Sequence, residues 1–214
     1  MFDLSNVETN KGYSPINPGE AVPLVLQKIE VTEEGHLDFY FEGSSAENPG
    51  MFKPRYWANK FDPTDDRYNS DVAENLLKQV RQIVEAFVSS EKADNIKGNN
   101  WLQFAGSIKN TLTPDTFKDV PVHMKVIYKK GDDEKVDIPY YGDFISTSIN
   151  PRKLKLRDAT DNSGIPYERI LPLSEYGVKK PEDNESPFGS HDESTGVADL
   201  PFGDSDDEVP AFGD

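Results

Sequence analysis

Residues 51–60 read Met-Phe-Lys-Pro-Arg-Tyr-Trp-Ala-Asn-Lys. An extended chain sends successive side chains to opposite faces. Lys53, Arg55 and Trp57 then share one face, with Asn59 following, while Phe52, Tyr56 and Ala58 take the other. Two cations and an indole on one surface have a definite chemistry: the cations neutralise phosphates and the indole offers a face on which a base stacks. Tyr40, at a non-core position of the preceding segment, is expected beside Trp57. Lys60, Phe61, Arg67 and Tyr68 follow in the next loop. The competing reading packs Trp57 beneath a loop and leaves the cations solvated, since aromatic rings are usually buried.

A second basic group lies in residues 120–130. Lys125 and Lys129 alternate with Met124, Val126 and Tyr128, and Lys130 adds charge at the following turn. Arg152, Lys153, Lys155 and Arg157 extend the basic character further along the chain. Each group alone is more often a solvated face than a site. Tyr140 and Tyr141 are adjacent, so at most one is expected to face a core, leaving the other for stacking.

The C-terminus carries a third pattern. Pro187-Phe188-Gly189, Pro201-Phe202-Gly203 and Pro210-Ala211-Phe212-Gly213 stand among acidic residues. From Pro181 to Asp214 there are 11 acidic residues and no Lys or Arg. Such a composition cannot bury enough apolar area to offset the entropy of ordering, so residues 179–214 are expected to be disordered. A Phe in that setting gains nothing for folding. It suits an anchor for a partner's hydrophobic pocket, with carboxylates meeting a basic rim. A solubilising tail is the plainer alternative.

These residues need a frame. The net charge of −16 is unusual for a phosphate binder, but the tail holds most of it: the first 180 residues carry 28 acidic and 23 basic residues. Residues 1–19 have turn chemistry and little periodicity, which predicts an irregular opening arm. Residues 22–31 read as a strand, Glu33-Glu34-Gly35 as a turn, and residues 36–42 as a strand with Leu37, Phe39 and Phe41 inward and His36, Asp38 and Tyr40 outward. Residues 51–60 make a third strand, with Pro54 marking an edge or bulge. The period changes over 71–90, where Val72, Leu76, Val80, Ile83, Val84 and Phe87 recur at helical spacing, and Asp71 with Glu74 resembles a capping box. Trp101, Phe104, Ala105, Ile108 and Leu112 define a second, shorter helix. Strands follow at 120–130 and 134–140 around a Gly131-Asp132-Asp133 turn, with a last β piece at 144–147.

Three strands, a helix and helical insert, then two strands predict a mainly β protein. The expected architecture is a five-stranded OB-fold-like barrel over residues 1–178, with its helix between strands 3 and 4. A ferredoxin-like arrangement would need a helix after the first strand, where the sequence has none. Closure would hide the sheet edges.

The tail segment Asp199-Leu200-Pro201-Phe202 resembles the tip of bacterial and phage single-stranded-DNA-binding proteins, where acidic residues and an aliphatic precede Pro-Phe. The turns at Tyr13 to Pro15 and Pro18 to Glu20, the aromatic-basic third strand and the helix after it resemble phage members, which place an OB fold before such a tail. One feature departs from the bacterial pattern, in which Phe is terminal and its carboxylate is recognised. Here twelve residues follow Phe202, and Gly213-Asp214 follow Phe212. The resemblance implies single-stranded DNA binding without strong sequence preference, and replication, recombination or repair proteins as partners through Asp199, Leu200, Pro201, Phe202 and Phe212. It implies neither catalysis nor a cofactor, and it admits a homodimer.

Other classes find little footing. With no cysteine, disulfides, Cys-based zinc sites and thiol nucleophiles are excluded. His36, His123 and His191 are scattered, and no H-E-x-x-H, P-loop or G-x-S-x-G occurs. Asp62, Asp65 and Asp66 lack the spacing of a calcium loop and read as a solvated acidic loop rather than a metal site. No apolar run approaches the roughly 18 residues of a membrane helix, and no secretory signal is visible, so the cytoplasm is expected, the host's if the chain is phage-encoded. The main rival function is a protein-interaction or assembly module whose acidic tail recruits partners and whose body never touches DNA.

Overall fold

The structure is a computed structural model and describes residues 15–178. The opening arm up to residue 14, the expected tail at 179–214 and all five tail anchor residues lie outside the described residues.

Strand β1 (Gly19–Val31) is the longest and the centre of the sheet. It pairs antiparallel with β2 (Leu37–Gly43) on one side. Its inward residues are Val22, Leu24 and Leu26, then Ile29. That change of parity needs one extra residue, and the β1–β2 register shifts between Leu26 and Lys28. The turn between them closes through Gly35, whose φ of +79° suits glycine.

The third barrel strand comes in two pieces, β3 (Met51–Phe52) and β4 (Arg55–Tyr56), both paired with β2. Pro54 falls between them and has no N–H to give to a ladder. The strand ends earlier than residue 60, because Ala58–Phe61 turn into a 3-10 helix. At Gly50 the chain passes so close to the arm that an added Cβ would stand 2.6 Å from the Ile16 nitrogen.

Four helices fill the connection to the next strand: α1 (Ser70–Glu85), α2 (Ser90–Asp94), α3 (Trp101–Thr111) and α4 (Pro114–Phe117). The first is capped by Asn69, whose side chain accepts from the Val72 N–H at 3.0 Å, and not by the Asp71–Glu74 box. It also stops at Glu85, short of residue 90. Val80, Ile83 and Val84 of α1, with Ala105 and Ile108 of α3, join the barrel core.

Strand β5 (Pro121–Tyr128) returns to pair with the other side of β1. Its far edge receives two short pieces, β6 (Val136–Asp137) and β7 (Ile145–Ser146). The expected returning strand at 134–140 is therefore only two residues long. The sheet runs β3-β2-β1-β5-β6, with β4 on β2 and β7 on β5. Counting the split strands once, this is a nearly closed five-stranded antiparallel barrel with its helices between the third and fourth strands. Leu24, Leu37, Phe39, Phe41, Met124 and Phe144 fill its centre. The remaining opening is a seam between β3–β4 and the 129–137 hairpin.

Candidate functional site

On the outer face of β2, β3 and β4, alternation puts Tyr40, Lys53, Arg55 and Trp57 on one surface, but Tyr40 is not beside Trp57: the β2–β4 register sets Trp57 against His36, while the Tyr40 ring stands between Lys28 and Lys53. At their centre is a residue the sequence reading had placed outward among them. Asp38 is fully buried because Arg55 and Lys53 close over it. Arg55 donates to it through Nε (2.7 Å) and Nη2 (2.6 Å), and Lys53 Nζ lies 3.4 Å away. Burial pushes the Asp38 carboxyl up, but the Arg55 hydrogen bonds and the two positive charges outweigh it, and the net shift is downward.

The rings are held by the same cations. The Arg55 guanidinium stands 5.2 Å from the Trp57 ring centre, and Trp57 remains 49% exposed. Lys28 and Lys53 flank the Tyr40 ring at 5.3 and 5.2 Å. The Tyr40 hydroxyl donates to Glu30 at 3.0 Å. Burial first, then that bond and the charge of Asp38, push the Tyr40 phenol up to about 12, so it stays a donor. His36 packs against Trp57, its ring centre 4.6 Å away, while its Nδ1 accepts from the Ala58 N–H. Trp57 is thus propped on one side and open on the other.

From this face the surface continues into the seam. A cavity of about 360 Å3 has Lys53, Arg55 and Trp57 on one wall and Lys129, Lys135 and Asp137 on the other. A second, of about 460 Å3, is walled by Tyr128, Tyr140, Tyr141, Tyr167, Lys130 and Arg157. Lys129 and Asp137 line both, so the two form one continuous groove. Asp137 keeps contact with solvent but is crowded by the seam. Desolvation raises its carboxyl from the ordinary value, partly offset by the Ile138 N–H and the charge of Lys129. Below it the Tyr56 hydroxyl is buried without a hydrogen-bond partner.

The other expected residues divide. Lys129 and Lys130 are exposed on the groove, and Lys153 and Lys155 are exposed on the following extended segment. Lys60 is half-buried in the 3-10 turn, and Arg67 is tied to Asp65 at 3.0 Å. Two assignments are corrected. Lys125 does not face solvent: it is 1% exposed, donating to Glu168 and to the Lys155 carbonyl at 2.8 Å each. The segment after residue 151 covers this side of β5, so the outward side of the strand at Lys125 is sealed by a later part of the chain. Arg152 turns inward to pair with Glu85 at the end of α1. Tyr167 and Lys135 were not foreseen as groove residues. Tyr140 and Tyr141 are both exposed, so neither faces the core.

The acidic loop at 62–66 folds on itself, with Asp62 accepting from Thr64 and Asp65 from Arg67. Among the described residues no group of three or more His, Asp or Glu side chains is arranged to hold a metal ion, and no helix is long and apolar enough to cross a membrane. A further apolar cavity of about 500 Å3 lies among the helices, against the stacked rings of Phe61 and Trp101, with Arg81 and Asp94 paired across its rim. The groove supplies exposed rings, cations beside them and an open path, which is an arrangement for stacking and charge neutralisation. Comparison of the chain with protein families, with curated proteins and with solved structures finds no match.

Proposed function

We propose that the barrel binds single-stranded DNA along the seam, from Trp57 past Lys129 to the tyrosine-walled cavity, without strong sequence preference. The observation that supports this most is that exposed rings along one groove each carry a cation of the chain: Arg55 at Trp57, Arg157 at Tyr141 and Lys130 at Tyr167. Every base has a π-face, so such rings accept any sequence, and the neighbouring cations suit the phosphates between bases. An OB-type barrel offers its strand 2–3 face and flanking loops for this purpose. The reading extends to replication and recombination. The acidic tail would recruit partner proteins through Phe202 and Phe212 and compete with DNA for the groove.

The test is anisotropy of a labelled oligothymidylate titrated with the full chain at a series of salt concentrations. The expected result is a binding constant that falls linearly with salt on logarithmic axes and a weaker response to duplex of equal length. Absence of binding at low salt would leave the rival, a protein-interaction module, as the better account.

A further inference from the structure

We infer that the cavity between Tyr141 and Tyr167 is a discrete subsite for an unstacked nucleobase. This inference rests on the reading of the groove as a single-stranded DNA path.

The cavity is built rather than incidental. One wall is a hairpin that follows directly on the basic stretch at 152–157. Thr160 bridges to Pro166, Asp161 accepts from the Ser163 and Ile165 N–H groups, and Gly164 takes the turn at φ +77°. The Tyr167 N–H donates to the Ala159 carbonyl at 2.9 Å. Arg157 and Tyr167 thereby emerge near one another. The base of this hairpin is clamped by Glu168, which is 6% exposed and accepts from both Lys125 Nζ and the Arg157 N–H. Opposite, Tyr141 is held by Tyr140, whose ring stands at 89° to it with centres 4.7 Å apart. Asn75 on α1 approaches the Tyr140 hydroxyl at 3.4 Å. Ile127 and Ile138 make the floor apolar.

The lining specifies the guest. Half-exposed rings with an apolar floor ask for a flat, unsaturated ligand. Lys129, Lys130 and Arg157 around the mouth ask for negative charge attached to it. Glu168 is already neutralised by Lys125, which leaves Asp137 as the one acidic group of the lining without an ion-pair partner at hand. A ring carried on an anionic backbone meets both demands. The Arg157 guanidinium lies 5.3 Å from the Tyr141 ring centre and Lys130 Nζ lies 5.7 Å from that of Tyr167. The planar guanidinium occupies a place that a base would take. Entry of a base would turn both cations outward, toward the phosphates on either side of it.

The experiment compares two strands of equal length on the full chain: oligodeoxythymidylate and an abasic deoxyribose-phosphate polymer. The wild-type protein is expected to prefer the strand with bases. In the variant Tyr141→Ala/Tyr167→Ala that preference should shrink by about tenfold, from loss of affinity for the based strand alone. The variant Tyr141→Phe/Tyr167→Phe keeps the rings and should keep the preference, which controls for folding. An unchanged preference in the alanine variant, with Trp57→Ala still weakening binding, would overturn the subsite and leave the groove reading standing. Failure of the wild-type chain to bind either strand would overturn both.

Discussion

Arg55 meets the buried Asp38 carboxylate with two separate hydrogen bonds, 2.7 Å from Nε to Oδ1 and 2.6 Å from Nη2 to Oδ2. The pair fixes β4 to β2 at the register point Asp38↔Arg55. It also offsets one of the two positive charges that this face presents. Removing Arg55 strands a buried carboxylate with Lys53 as its remaining counter-ion. Arg55→Ala should therefore lose about 1.5–3 kcal/mol of stability in denaturant titration, the range for hydrogen bonds to charged groups. The acid limb reports the same pair. Asp38 has a depressed carboxyl in the fold, so its contribution is present above the unfolded value and is lost as pH falls through the folded one. The acid unfolding midpoint of Arg55→Ala should move to higher pH. An unmoved midpoint would mean that Asp38 is not held ionised by Arg55.

Trp57 gives the most direct test of the outer face. Its ring is exposed and propped by His36 and Arg55, so truncation leaves the core intact. Trp57→Ala should weaken oligothymidylate binding by about 1–3 kcal/mol, the range for one stacked base, with little change in melting temperature. Normal affinity in a folded variant would remove this face from the DNA path.

Lys125 and Lys129 lie four residues apart and should behave oppositely. Breaking the buried Lys125–Glu168 pair leaves Glu168 uncompensated, and Lys125→Met should lose about 3–5 kcal/mol of stability. Restoring neutrality with Glu168→Gln should recover part of it. Because Lys125 is sealed from solvent, the salt slope of binding by the folded fraction should stay unchanged. Lys129→Ala should leave stability nearly as it was and lower that slope by about one. Equal effects on the slope would contradict the burial of Lys125.

What the sequence revealed follows from which forces are local. Period-2 alternation placed Leu37, Phe39 and Phe41 inside and gathered Lys53, Arg55 and Trp57 outside, because pleating depends on neighbours along the chain. The same rule misjudged Asp38 and Lys125. Both stand on the outward side of their strands and are buried by later parts of the chain, Arg55 in one case and the 155–168 segment in the other. Cover of that kind is a tertiary fact, and periodicity carries no trace of it. Pro54 was legible as a break, yet the 3-10 turn at 58–61 beyond it was not. Tyr167 was hidden for another reason: its hairpin is held by Asp161 turn bonds and by Glu168, without an alternating apolar pattern.

Charge arithmetic gives the tail its own prediction. Residues 181–214 hold 11 acidic and no basic residues, whereas the preceding 180 carry a net −5. On the proposed function, a polyanion tethered to the groove would compete with DNA at high effective concentration. Deletion of 181–214 should tighten oligothymidylate binding, most at low salt where attraction between tail and groove is least screened. Unchanged or weaker affinity would exclude competition by the tail.

Asp137 offers the reverse experiment within the barrel. It lines both halves of the groove, so on the proposed path its charge would oppose a phosphate wherever the strand crosses the seam. Desolvation raises its carboxyl, with Lys129 pulling the other way and the buried Tyr56 hydroxyl beneath it feeling its charge. A carboxyl raised in the fold binds its proton more tightly folded than unfolded. Its charge then opposes folding above the folded value, and this strain is relieved as pH falls through that value. Asp137→Asn should therefore hold or raise stability at neutral pH. It should also tighten DNA binding by about threefold, the scale of one screened surface charge. Wild-type binding should strengthen as pH falls through the folded value of Asp137, while the Asn variant responds less. If Asp137→Asn binds DNA more weakly than wild type while remaining folded, the strand does not run along the seam, because removal of a negative charge from a phosphate path cannot reduce attraction to it.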